Sequence, residues 1–211
     1  MDGLMDKKKK EIRERIIAVA GKLFMGQGFE NTTMDQIATE AVVSRKTLYN
    51  YFPLKEAIAD EYYRETAKEV AQETLENLSE LPDIRSRLIA AISNRYRWAE
   101  SNPELCSIVL MYRLKNLFQA TGQKVEQNGT QSLIIDILRR GQEAGEIRAD
   151  IPIKMIFSYI DYLRTATVMD WLRDNARSDL QGETIRLVDL VLNGARIRPE
   201  DSQNYDSRVK E

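Results

Sequence analysis

The sequence predicts an all-α chain, with three short helices in its first quarter and about six longer ones after them. Apolar residues recur three and four positions apart almost throughout, and no segment keeps the strict alternation of a half-buried strand. Only 5 prolines and 10 glycines interrupt the 211 residues, so long helices meet few breakers. Several of those breakers stand where a helical pattern ends. No internal repeat is visible.

The first helix is expected over residues 8–26, with Ile12, Ile16, Ala20, Leu23 and Phe24 on one face. Gly28 follows as a left-handed terminator. Thr33 can cap a short second helix with Gln36 completing a capping box, and Ile37, Ala38 and Ala41 point inward. Ser44 can cap a third, anchored by Leu48 and Phe52 and closed by Pro53. Residues 54–80 read as one long helix ending at Leu81-Pro82, and residues 83–101 as another. Asn102-Pro103 opens a helix apolar on most sides, which predicts burial. Residues 123–144 form the next, stopped by Gly145; Pro152 begins one reaching residue 176, and residues 183–195 make the last.

Composition narrows the function. There is no histidine, which removes histidine general bases, Ser-His and Cys-His nucleophile pairs and nearly every zinc or iron site. No catalytic residue, metal or cofactor is expected; a carboxylate enzyme built on Asp161 and Asp170 is the alternative in that class. A single cysteine, Cys106, makes no internal disulfide and points to a reducing compartment. No apolar run approaches the roughly 18–20 residues of a membrane span, and the lysine-rich start is no secretory signal. A cytoplasmic protein without membrane contact is the expectation. Net charge is −2, but residues 1–57 hold 10 Lys/Arg against 8 Asp/Glu, with Lys7, Lys8, Lys9 and Lys10 together. Those lysines read chiefly as a solvated flexible tail, and alternatively as a contact to a groove or backbone.

Two short helices joined by a tight turn, with a third before them, make the helix-turn-helix pattern. Opposite its apolar anchors the second short helix shows Arg45, Lys46, Thr47 and Asn50, placed to enter a major groove. Arginine bonds guanine bidentately, asparagine bonds adenine, and threonine touches the thymine methyl. Tyr49, Tyr51 and Lys55 suit phosphates, while the helix starts capped by Thr33 and Ser44 offer free backbone N–H groups. An ordinary exposed helix start with packed tyrosines is the bland alternative.

Residues 32–57, Thr-Thr-Met-Asp-Gln-Ile-Ala-Thr-Glu-Ala-Val-Val-Ser-Arg-Lys-Thr-Leu-Tyr-Asn-Tyr-Phe-Pro-Leu-Lys-Glu-Ala, closely resemble the signature of TetR-family regulators. Leu23-Phe24 followed by Gly28-Phe29 is similar to that family's first-helix ending. The likeness covers about residues 10–58, roughly a quarter of the chain. It implies DNA contacts at Thr33, Lys46, Thr47, Tyr49, Tyr51 and Lys55; Arg45 and Asn50 are added as base readers from the residue chemistry alone. Two positions depart from the pattern. Val42 stands where the family often has the glycine of the turn, which predicts a shifted turn geometry. Leu54 stands near its usual serine cap.

The resulting expectation is a helix-turn-helix DNA-binding domain over residues 1–56, a six-helix ligand-binding and dimerisation domain over 57–198, and a polar tail over 199–211. The expected partners are a palindromic double-stranded DNA operator, a second copy of the chain as a homodimer, and a small-molecule effector that releases a repressor. A constitutive or protein-regulated DNA binder is the alternative. Two apolar stripes run along residues 153–171: Ile156, Ile160, Leu163 and Thr167, and Met155, Tyr159, Tyr162, Ala166 and Met169. Together with the broad last helix they predict a four-helix dimer interface, with Ile156, Ile160, Leu163, Thr167, Leu187 and Val191 at its contacts. Trp98, Met111, Tyr112, Phe118, Tyr159 and Tyr162 are the candidates to line an adaptable apolar pocket. Arg95, Asp161 and Arg164 could hold a polar ligand group.

Overall fold

The computed structural model describes residues 2–78, 80–116, 129–174 and 177–195. Among them nine α-helices follow one another: α1 Asp2–Gln27, α2 Met34–Glu40, α3 Arg45–Tyr51, α4 Lys55–Leu78, α5 Ile84–Ser101, α6 Pro103–Asn116, α7 Gly129–Glu143, α8 Ile153–Arg173 and α9 Leu180–Ala195. Phe118 and the tail over 199–211 lie outside the described residues. No helix among the described residues is long and apolar enough to cross a membrane.

The chain folds as two compact units, one of Met1–Ala67 with Asn102–Glu126 and one of Lys68–Ser101 with Gln127–Glu211. The boundary expected after residue 56 falls in the first turn of α4, a helix that runs from one unit into the other, and α6 belongs with the amino-terminal helices. The lysines also differ from expectation. Lys7 to Lys10 are not a tail but part of α1, which begins at Asp2.

In the first unit Ile16, Ile17, Ala20 and Phe24 of α1 join Phe29, Ile37, Ala38, Ala41, Leu48, Phe52 and Ile58 in one buried core. The Phe24 and Phe29 rings sit 5.1 Å apart, tilted as aromatic pairs prefer. Gly28 ends α1 at φ 86°, a conformation that costs glycine nothing. Gly21 is needed for space, because a Cβ there would sit 2.3 Å from the Tyr62 ring. Asp60 of α4 is buried, takes a hydrogen bond from Arg64 at 3.2 Å and is paired by Arg113 of α6, whose guanidinium lies 4.4 Å from the Tyr63 ring centre. That cluster ties α6 to the amino-terminal half of α4. The expectation of an all-round buried α6 fails at Met111, which is 63% exposed, while Leu105, Cys106 and Val109 are buried.

In the second unit α5, α7, α8 and α9 pack around Leu88, Ile92, Tyr96, Ile134, Leu138, Ile160, Leu180 and Val188. The buried Tyr96 hydroxyl donates to the Arg164 carbonyl at 3.0 Å, and Arg85 of α5 grips the Asp189 carboxylate of α9 with two hydrogen bonds of 2.6 and 2.9 Å. Gly145 closes α7 at φ 73°, as its position foretells.

Candidate nucleic-acid interface

Local chemistry fixes both ends of α3. Ser44 is extended and its hydroxyl accepts from the Thr47 amide at 3.0 Å, satisfying one of the orphan donors of the first turn. Leu48 is fully buried and Phe52 nearly so, which holds one side of this two-turn helix against the unit's core. The opposite side shows Arg45, Lys46, Tyr49 and Asn50 exposed, with Thr47 and Tyr51 half-buried. Six of the predicted DNA contacts therefore share one short helix. Arg45 is ion-paired with Asp35 of α2. The Thr47 hydroxyl lies 2.8 Å from that of Ser44.

Thr33 caps α2 as expected, accepting from the Gln36 amide at 3.2 Å. The reciprocal half of the capping box is not made: the Gln36 side chain instead exchanges hydrogen bonds with Gln27 at 2.9 and 3.3 Å. Lys55 departs from expectation. Its ammonium donates to the carbonyls of Phe29 and Thr32 at 2.6 and 2.7 Å and sits 4.0 Å from the Phe29 ring centre. Two of its three donors thus clamp the loop after α1.

The turn between α2 and α3 keeps the left-handed form that glycine favours. Val42 stands at φ 53°, with its own amide on the Thr39 carbonyl at 3.1 Å and the Val43 amide on the Ala38 carbonyl at 3.0 Å. This is a Schellman closure, with Arg15 of α1 donating to the Ala41 carbonyl at 2.8 Å to brace it. The valine does not shift the turn as the sequence suggested; the hydrogen bonds over-determine it. The left-handed conformation costs an L-residue roughly 1–2 kcal/mol, of which glycine's greater chain entropy would return about half. Val42 is also 81% exposed, so its removal forfeits little buried apolar surface. Val42→Gly is expected to stabilise the first unit by about 0.5–1 kcal/mol, read as a rise of a few degrees in its melting midpoint. A lowered midpoint would count against that account.

The candidate pocket residues are divided between the units, Met111 and Tyr112 in the first and Trp98, Tyr159 and Tyr162 in the second. Met111, Tyr159 and Tyr162 are exposed, and Tyr162 is 71% exposed. Trp98 is half-buried, with the buried Arg95 guanidinium 4.3 Å from its ring centre. Tyr112 is half-buried in the first unit, where burial and then the negative charges of Asp60, Glu56 and Glu61 push its phenol pKa up. A cleft of about 420 Å³ in the second unit is lined by Val70, Glu73, Asn77, Asn94 and Arg97, none of them a predicted residue. Asp161 pairs with Arg164 at 2.8 Å and Asp170 with Arg173 at 2.6 Å, which gives both carboxylates a structural role.

Of the predicted dimer contacts, Ile156, Ile160 and Leu187 are buried inside the subunit. The other stripe is left open: Met155, Tyr159, Tyr162 and Met169 of α8 are exposed, joined by Leu163 and by Ile185 and Leu190 of α9. Thr167 and Val191 are half-buried beside it.

Comparison with known proteins fixes the class. The model of the tetR family of bacterial regulatory proteins matches residues 16–62, the stretch from the core of α1 to the first turns of α4. The fatty acid metabolism regulator protein of Bacillus subtilis is 25% identical over 194 residues, covering 89% of this chain and 97% of its own. This chain belongs to the tetR family. As a tetR-family protein it is a DNA-binding transcription regulator and not an enzyme. Similarity extends through the helical second unit. The crystal structure of Thermus thermophilus FadR, a TetR-family repressor in complex with lauroyl-CoA, superposes with a TM-score of 0.72 at 25% identity, over 88% of this chain and 96% of that one. The repressor KstR2 of Rhodococcus jostii is 24% identical over 86% of this chain and 90% of its own.

Proposed function

We propose that the protein is a dimeric repressor that reads a palindromic operator through α3 and is released by a small-molecule effector. The observation that carries the DNA reading is the polarity of α3. Leu48 and Phe52 anchor one side, while Lys46, Tyr49 and Asn50 are exposed on the other. Arg45, Thr47 and Asn50 are its base readers; Thr33, Ser44, Lys46, Tyr49 and Tyr51 fix register on the phosphates. Repressors among the relatives support the negative sign of regulation.

The exposed stripe of α8 and α9 is the face that a second copy covers. In the dimer the two α3 helices then meet successive major-groove turns about 34–36 Å apart. The effector class is a fatty acyl thioester, supported by the lauroyl-CoA bound in the Thermus structure and by the fatty acid regulator of Bacillus subtilis. To release DNA it must discriminate between conformers; moving a population from 1:99 to 99:1 takes about 5.5 kcal/mol of differential affinity.

The test starts with selection of bound duplexes from a random pool, followed by gel shifts with and without lauroyl-CoA. Lys46→Ala and Tyr49→Ala are each expected to weaken operator binding about tenfold or more, with the dimer intact by sedimentation. Unchanged shifts for both variants would refute the assignment of α3. Release by lauroyl-CoA supports the effector class, and retention of the shift at saturating thioester excludes it.

A further inference from the structure

We propose that the amino-terminal turns of α1 are a second phosphate-binding surface, with Lys7, Lys8, Lys9 and Lys10 holding the DNA backbone beside the groove that α3 reads. The inference rests on the DNA-binding reading above. Because α1 is helical from Asp2, these lysines ride on a rod already packed into the first unit, and little chain entropy is lost when they meet DNA. Two contacts show where the rod passes the reading element. Arg13 lies 5.5 Å from the ring centre of Phe52, which closes α3, and Arg15 donates to the Ala41 carbonyl in the turn before α3. At 1.5 Å per residue Lys10 stands about 4.5 Å and Lys7 about 9 Å beyond Arg13 along the axis. A major groove is about 12 Å wide, so its flanking phosphates run at a comparable distance from a helix seated in it.

The charges are available. All four lysines are exposed. Lys10 makes a loose i,i+4 pair with Glu14 at 3.7 Å, and no ion pair engages Lys7, Lys8 or Lys9 among the described residues. Asp6, Glu11 and Glu14 dilute the patch along the same helix, and Arg13 is already held by Glu61 at 2.7 Å. Four consecutive helical positions wrap most of the way round, so a single phosphate strand meets about two of them; Lys7 and Lys10, three apart, share a face.

The experiment measures how the dissociation constant varies with salt, from about 50 to 300 mM KCl, for the selected operator and for a random-sequence duplex. The quadruple variant Lys7→Ala/Lys8→Ala/Lys9→Ala/Lys10→Ala keeps good helix formers, and the matching quadruple arginine variant keeps the charge. Each phosphate contact contributes about 0.9 to the slope of log K against log salt, so two contacts on each protomer of the dimer remove about 3.6, which is about 1,000-fold in affinity at 0.15 M. The expected result is that loss on both duplexes, an unchanged operator-to-random ratio, and wild-type behaviour for the arginine variant. A slope unchanged in the alanine variant, or a loss confined to the operator, overturns the proposal while leaving α3 as the reader. If the wild-type chain binds neither duplex, the DNA-binding reading falls and this inference with it.

Discussion

Glutamate at both Tyr162 and Leu190 is expected to split the protein into monomers and to reduce operator binding by about 100- to 10,000-fold. Tyr162 is 71% exposed and Leu190 65%, so neither supports its own subunit's core and the variant folds. Across the proposed two-fold axis each new carboxylate would be desolvated without a partner, at a cost several times that of a lost apolar contact. Two half-sites held on one dimer gain roughly 10²–10⁴ in avidity over either alone, and that factor is what vanishes. Sedimentation reads the mass, and a duplex carrying a single half-site reads the intrinsic affinity of α3, which stays as in the wild type. A variant that remains dimeric would show that the stripe along α8 and α9 is not the interface.

The second large effect is at Leu48. This side chain is completely buried under α3 and touches the core through which α1 and α2 hold the reading helix. Leu48→Ala leaves a cavity, and such changes cost about 2–5 kcal/mol. Small units have little stability in reserve. A loss of about 3 kcal/mol shifts their folded-to-unfolded ratio by more than 100-fold. Calorimetry should show the transition of the first unit falling well below that of the second, and operator binding should be lost at temperatures where the second unit is still folded. A single unshifted transition would contradict the view that Leu48 anchors the reader.

The elements most legible in the sequence are those fixed by local chemistry. Thr33, Ser44, Gly28 and Gly145 each answer a backbone requirement that a neighbour or two completes, and each stands where its residue type implies. The polar side of α3 was legible because Leu48 and Phe52, four apart, define the buried side and so the exposed one. What needs long-range contacts was not. Lys55 reads as a free cation until the carbonyls of Phe29 and Thr32, more than twenty residues earlier, are seen to surround it. On α8 the period establishes a helix with two apolar stripes, but only packing by the other helices of its unit shows which is core; Ile156 and Ile160 went inward and Met155 and Tyr159 outward. The turn at Val42 was misjudged for the same reason. Local preference weighs against the conformation, and Arg15 from another helix helps to hold it.

The ion pair between Arg45 and Asp35 has a consequence for how selectively a duplex is recognised. Both side chains are more than half exposed, so the pair is worth at most about 1 kcal/mol. A bidentate arginine–guanine contact is worth about 1–3 kcal/mol. In the proposed reading, only a base offering two well-placed acceptors draws the guanidinium away from its carboxylate; elsewhere it stays tethered to its own protein. The carboxylate acts as an internal competitor: its share is subtracted from the gain at the preferred base, which narrows the margin over sites where the arginine stays tethered, without touching a single nucleotide.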